Sequence, residues 1–392
     1  MKKEIPYSTQ SINQSDVNAV KKVMYSKFLT QGPVIKKFEY SIAKKVNAKF
    51  ATAFNSATSA LHIGCIVLGF KKGDILWTVP NTFVASCNCA RLLDGKVDFV
   101  DINPSTSNID IDLLEQKLKR SKKKNRLPKI LVPVHFAGTP PEQDKIWKLA
   151  KQFNFKILED ASHSLGAKYK NNKVGNCKWS DITVFSLHPI KIITSAEGGV
   201  ATTNNYKIQR RMQILKNHGI TKKKTEFINK SKGGWYYEQQ FLGLNYRMNE
   251  ISAALGLNQL NRLNKFVKER NKIARFYNKH LSKKHLYLPS FSKEFYSSFH
   301  LYVIKIKNKN YKKTHLNLFN YMRKNKILAN VHYLPVHLQP YYKKLGFKKG
   351  SFPESEKHAD SALSIPIYPY IKKNLLLKII NTINYFLKYD FK

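Results

Sequence analysis

Between about residues 51 and 205, short β-branched runs alternate with amphipathic stretches. The runs fall at 75–80, 97–100, 130–134, 155–158, 182–186 and 200–203. Such alternation predicts a mostly parallel sheet with helices on both faces. The first 50 residues read as an N-terminal arm and a helix that begins near Val17, with Ser15 and Asp16 as its cap. Residues 251–280 read as one long helix, with Leu255, Leu260 and Phe266 at helical spacing. Residues 299–306 and 329–334 then predict strands of a small C-terminal α/β domain, and an amphipathic helix closes the chain from Leu375. The expected division is 1–255, an arm with a large domain, and 256–392, a linking helix with a small domain. No internal repeat interrupts this order.

Composition changes the picture little. A chain of 392 residues holds ample material for a large and a smaller domain. The start, Met1-Lys-Lys-Glu-Ile-Pro6, lacks the apolar centre of a signal peptide, and no apolar run reaches membrane-span length. Cys65, Cys87, Cys89 and Cys177 show neither disulfide nor zinc spacing, so no metal is expected and a cytoplasmic location is. The formal charge of +44 raises the question of nucleic acid. Lysine greatly outnumbers arginine and is spread through the chain, without a zinc finger, helix-turn-helix or RNA-binding signature. The charge therefore reads as compositional bias on a solvated surface, and no nucleic-acid partner is expected.

The chemistry concentrates at Phe185-Ser-Leu-His-Pro-Ile-Lys-Ile-Ile-Thr-Ser-Ala-Glu-Gly-Gly199. Lys191 lies there between two β-rich runs, in an otherwise nearly uncharged stretch. Ser186 and His188 precede it and a Gly-Gly pair follows. A lysine drawn out of water has a lowered pKa and attacks carbonyls, the property of a Schiff-base lysine. Asp160, 31 residues earlier, ends Lys156-Ile-Leu-Glu-Asp160, which reads as a short buried strand that finishes on a carboxylate. Pyridoxal 5'-phosphate (PLP) needs a lysine for its aldehyde and an anion for its ring nitrogen. Alone, Asp160 would read equally well as a helix cap or a surface acid; beside Lys191 the cofactor reading is the better one.

With those residues in place the chain resembles the DegT/DnrJ/EryC1/StrS sugar aminotransferases over nearly its whole length. The shared landmarks are Leu29-Thr-Gln-Gly-Pro33, Asn55-Ser-Ala-Thr-Ser-Ala-Leu61, Pro80-Asn-Thr-Phe-Val-Ala-Ser86 and Pro133-Val-His-Phe-Ala-Gly138. Glu159-Asp-Ala-Ser-His163, the lysine block, Gly243-Leu-Asn-Tyr-Arg-Met248 and Ala253-Ala-Leu-Gly-Leu-Asn-Gln-Leu260 follow in register. The resemblance implies the fold-type I PLP architecture: a large domain with a mostly parallel seven-stranded sheet and a smaller C-terminal α/β domain. Trp235-Tyr-Tyr237 and the segment from His332 to Tyr342 are similar to the branch that aminates C4 of a UDP-linked 4-keto-6-deoxy-N-acetylhexosamine, the pseudaminic acid type.

The resemblance also distributes roles. Ala57 and Thr58, at a helix start that favours anions, would hold the PLP phosphate. Ser186 would add a ligand, and Asn245 another from a partner subunit, which makes the expected form a homodimer with shared sites. Phe83 would stack on the pyridine face, though a core phenylalanine fits as well. His163 would orient Asp160 or cover the ring, or be a satisfied buried histidine; His188 would modulate Lys191. Tyr7, Lys27, Leu29, Thr30, His332 and Tyr333 match positions that line a nucleotide-sugar pocket, with Lys27 and His332 as pyrophosphate partners. Arg247 would meet the donor carboxylate or a phosphate.

The implied reaction moves an amino group from L-glutamate to the sugar's C4. Bacillosamine- or perosamine-type ketosugars are alternative acceptors. A PLP-dependent sugar dehydratase would carry histidine in place of Lys191. A non-enzymatic basic binding protein would not need Asp160, Ser186, Lys191 and Asn245 together.

Overall fold

Seven short runs of small and β-branched residues assemble into one sheet: β1 (Phe50–Phe54), β2 (Ile75–Thr78), β3 (Lys96–Phe99), β4 (Ile130–Leu131), β5 (Lys156–Asp160), β6 (Ile182–Ser186) and β7 (Gly199–Thr203). The computed structural model describes residues 4–308 and 310–389; Met1 to Lys3, part of the start judged above for a leader, lie outside the described residues. The strand order is β1-β7-β6-β5-β4-β2-β3. β7 runs antiparallel to both its neighbours and the other strands run together. Both faces are covered. Leu158 of β5 faces a core with Phe54, Leu61 and Ile182, while its neighbour Ile157 faces another with Trp77, Leu131 and Ile146. That is why these strands read as continuous apolar runs rather than alternating ones.

A second core gathers Tyr277, Leu286, Tyr302, Ile304, Leu318, Leu363 and Ile379 around a three-stranded antiparallel sheet, β8 (Leu286–Tyr287), β9 (Tyr302–Ile306) and β10 (Ala362–Ile365). Ile5 packs in this core and bridges Ile327, so the N-terminal arm is built into the smaller unit.

Local chemistry moves several boundaries. The first helix, α1 (Gln14–Met24), starts three residues before Val17, because Asn13 and Asp16 form a reciprocal capping box. A second helix, α2 (Pro33–Val46), fills part of what read as an arm. The long helix expected over 251–280 is two, α3 (Glu250–Leu260) and α4 (Leu263–His280). The chain tightens there, with Arg262 N–H bonded to Gln259 O at 2.9 Å. Asn258, Gln259 and Arg262 all turn toward the buried Asp16 carboxylate, which fastens this end to α1. The expected boundary at 255/256 falls inside α3. Residues 329–334 form no strand: Asn330 bridges Ser364, and Tyr333 N–H turns away to Asn81 Oδ1 at 3.0 Å.

Candidate active site

In an open α/β sheet the ligand crevice lies at the carboxyl ends of the parallel strands. Here β1 leads into Ser56–Thr58, β5 ends on Asp160, and β6 leads into His188 and Lys191. These residues enclose a cavity of about 480 Å³, closed from the smaller unit by Asn330, Val331, His332 and Tyr333. A larger cleft of about 980 Å³ beside the edge strand β3 holds none of the residues singled out in the sequence.

Lys191 sits in the loop between β6 and β7. Its N–H bonds His188 O at 2.9 Å, and the buried Ile192 and Ile193 beside it pin the loop to the core. Burial pulls its amine down to about 8, against the opposing charge of Asp160. The neutral fraction at neutral pH, about a tenth, is far larger than for a lysine in water and makes this amine more nucleophilic.

Asp160 is buried, and each of its oxygens has a fixed donor. Ser86 Oγ donates to Oδ2 at 2.6 Å and Ser162 N–H to Oδ1 at 3.1 Å. It takes part in none of the ion pairs found among the described residues. A buried carboxylate outside any of those ion pairs, with the Lys191 charge as its electrostatic neighbour, suits a protonated ring nitrogen.

The helix Ala57–Val67 begins at the opposite end of the cavity. Ser56 caps it by accepting the Ser59 N–H, which leaves the first-turn amides of Ala57 and Thr58 without partners inside the helix. Gly199 lets this helix start approach β7: an added Cβ would lie 2.4 Å from Ala57 N. Ser186 lines the same end. Amide dipoles and a hydroxyl suit a phosphate. The two ends together fit PLP, which Lys191, Asp160, Ala57, Thr58 and Ser186 would hold.

Phe83 is 58% exposed on the cavity wall, with its ring 6.3 Å from that of Tyr333. His163 does not bond Asp160. Its Nε2 faces Tyr333 Oη at 3.2 Å, its ring lies 4.3 Å from His300, and its buried Nδ1 has no partner. Burial, then the Lys191 charge, push His163 well below the usual imidazole range. Burial likewise takes His332 to about 4, so at neutral pH it meets a ligand as a neutral hydrogen-bonding group rather than a cation. Ser364 Oγ holds its Nδ1 at 2.8 Å, and Tyr7 lies beside it with ring centroids 5.6 Å apart. His188 is exposed at the rim.

Lys27, Leu29, Thr30, Asn245 and Arg247 do not line this cavity. They gather elsewhere. Thr30 bridges Asn249, Arg247 bridges Phe54 and Asn245 bridges Asn217. Glu250 fastens the group: its carboxylate accepts the N–H groups of Gly32, Val34 and Ile35, and its own N–H bonds Leu29 O. Lys27, Leu29, Thr30 and Asn245 are exposed. Sequence reading missed Ser86, Thr82, Ser162 and Glu250. Ser86 and Thr82 stand within a landmark segment, but nothing in their spacing points to Asp160.

Residues 10–384 match the DegT/DnrJ/EryC1/StrS aminotransferase family. The chain belongs to that family. It is 38% identical over 341 residues to the UDP-4-amino-4,6-dideoxy-N-acetyl-beta-L-altrosamine transaminase of Campylobacter jejuni, covering 87% of this chain and 86% of that one. Among solved structures it resembles Helicobacter pylori PseC, an aminotransferase involved in pseudoaminic acid biosynthesis, at TM-score 0.87 and 31% identity, covering 97% and 98% of the two chains. The PLP form of the putative sugar aminotransferase Spr1654 from Streptococcus pneumoniae matches at TM-score 0.87 and 27% identity, over 97% and 98%. The fold is therefore the fold-type I PLP architecture, and the protein is a PLP-dependent sugar aminotransferase. Among the described residues no helix is long and apolar enough to cross a membrane.

Proposed function

We propose that this family member transfers the amino group of L-glutamate to C4 of a UDP-linked 4-keto-6-deoxy-N-acetylhexosamine, in the cytoplasm. One observation carries the reading: a partly neutral Lys191 and an unpaired, buried Asp160 share a cavity whose other wall is His332 and Tyr333. Similarity to the altrosamine transaminase and to PseC supports the acceptor. PLP, when bound, supplies an electron sink for the carbanion that forms next to an amine. Lys191 would take the α-proton from the amino donor and give it to the cofactor, and in the second half-reaction would take a proton back from the cofactor and give it to C4 of the sugar. Asp160 would hold the ring nitrogen charged and Phe83 would cover a ring face. The basic surface draws in an anionic nucleotide-sugar.

The test is a panel of UDP-, GDP- and dTDP-linked 4- and 3-ketosugars with PLP and L-glutamate, read by mass spectrometry. Replacement of the oxo group by an amine is expected first on the UDP-linked 4-keto-N-acetylhexosamine. Turnover confined to another ketosugar overturns the acceptor.

The displaced group of Lys27, Leu29, Thr30, Asn245 and Arg247 supports a homodimer in which it completes the neighbour's site. Exposed apolar side chains flank it, with Phe28 at 45% and Leu242 at 90% exposure. Mixing inactive Lys191→Ala with inactive Asn245→Ala subunits in equal amounts is then expected to restore activity towards a quarter of wild type, half of wild type for each heterodimer. Each heterodimer holds one intact site and one doubly damaged site. Proven subunit exchange without recovery places Asn245 in its own chain's site.

A further inference from the structure

The segment Asn81 to Ser86 joins three parts of the cavity wall that lie far apart in sequence. Ser86 is fully buried and donates to Asp160 Oδ2 at 2.6 Å. Thr82 Oγ1 lies 2.8 Å from Ser86 Oγ. The direction of this second bond follows from valence. An ionised carboxylate only accepts, so the single Ser86 proton goes to Asp160 and Thr82 must donate to Ser86. The hydroxyls then point one way, Thr82 to Ser86 to Asp160, and consecutive bonds of this kind strengthen one another. Phe83 stands within the same turn, with Ser86 N–H bonded to Phe83 O at 3.2 Å. Asn81 Oδ1 accepts the Tyr333 N–H at 3.0 Å.

We propose that Thr82 and Ser86 form a hydroxyl relay that fixes the plane of the Asp160 carboxylate, making Ser86 a positioning residue for the cofactor's ring nitrogen. With Ser162 N–H on Oδ1 and Ser86 on Oδ2, the carboxylate cannot rotate about its Cβ–Cγ bond without losing both donors. The lone pairs that remain are held toward the cavity. Because Phe83 rides on the same turn, the device that orients the carboxylate also sets the height of the ring-covering side chain. This inference rests on Asp160 meeting the ring nitrogen.

The test is a double-mutant cycle on the holoenzyme, read as apparent PLP dissociation constant and as the visible band of the bound cofactor. Ser86→Ala is expected to weaken PLP retention about tenfold or more, since a hydrogen bond to a charged group contributes on the order of 1.5–3 kcal/mol. Thr82→Val is expected to do the same to a smaller extent, and Thr82→Ser to restore retention. In an Asp160→Asn background, Ser86→Ala is expected to cost little more. Equal fold-losses in both backgrounds would show that Ser86 acts through general packing and overturn the relay. Wild-type retention in Ser86→Ala would overturn it as well. An Asp160→Asn variant with unaltered band and retention would instead sink the role of Asp160 itself, and the relay with it.

Discussion

Lys191→Ala is expected to lose covalent retention of PLP and to fall in turnover by roughly three orders of magnitude or more. The reason lies in two separate uses of one amine. On the proposed mechanism it would attack the cofactor's aldehyde, and it would carry the proton between a substrate carbon and the cofactor. General acid–base transfer alone contributes about 10²–10⁴-fold, and the covalent attachment adds to it. The side chain is partly exposed to the cavity and Ile192 and Ile193 anchor the loop, so truncation leaves the core intact. The measurement pairs single-turnover rates with borohydride reduction and peptide mapping. Near-normal turnover, or label on another lysine, would remove Lys191 from its assigned role.

Asp160→Asn is the second large effect. The isosteric amide keeps the shape of the strand end, and Ser86 can still donate to its carbonyl oxygen. It cannot hold a protonated ring nitrogen, because the negative charge is gone. A charge-assisted hydrogen bond contributes about 1.5–3 kcal/mol, and each 1.36 kcal/mol is tenfold in rate. The bond alone is therefore worth roughly 10- to 10²-fold, and loss of the neighbouring charge in a buried site adds to it. The amino-donor half-reaction, followed by stopped-flow absorbance, is expected to slow by at least that factor while PLP still binds. A wild-type rate would show that the ring nitrogen needs no anion here.

The sequence by itself determined the sheet and pointed to Lys191 and Asp160, which the structure brings into one cavity. Strands buried on both faces read as apolar runs, as β6 does, and β5 shows its buried Ile157 and Leu158 before it finishes on Asp160. Lys191 stands out as a lone cation in a stretch that the fold buries. The family landmarks extended this to the phosphate end, because Ser56 to Thr58 forms a local helix start.

What the tertiary structure decided has no local signature. Ser86 reaches Asp160 across 74 positions and Asn81 reaches Tyr333 across 252. No periodicity encodes such pairs, since each depends on how strands are ordered in the sheet and on where the smaller unit docks. The charge state of His332 is likewise a product of burial, invisible in a histidine's neighbours along the chain. The break between α3 and α4 needed Asp16, more than 240 residues away, as the point on which Gln259 and Arg262 converge. The separation of Lys27, Thr30, Asn245 and Arg247 from the cavity is the same kind of fact. In sequence Lys27, Thr30 and Arg247 read as pocket residues and Asn245 as one from a partner subunit; in the structure Asn245 and Arg247 pair with Asn217 and Phe54, and Glu250 ties Leu29 to the start of α2. Side-chain period and composition fix which residues are buried; only the packing of distant segments fixes what each buried group faces.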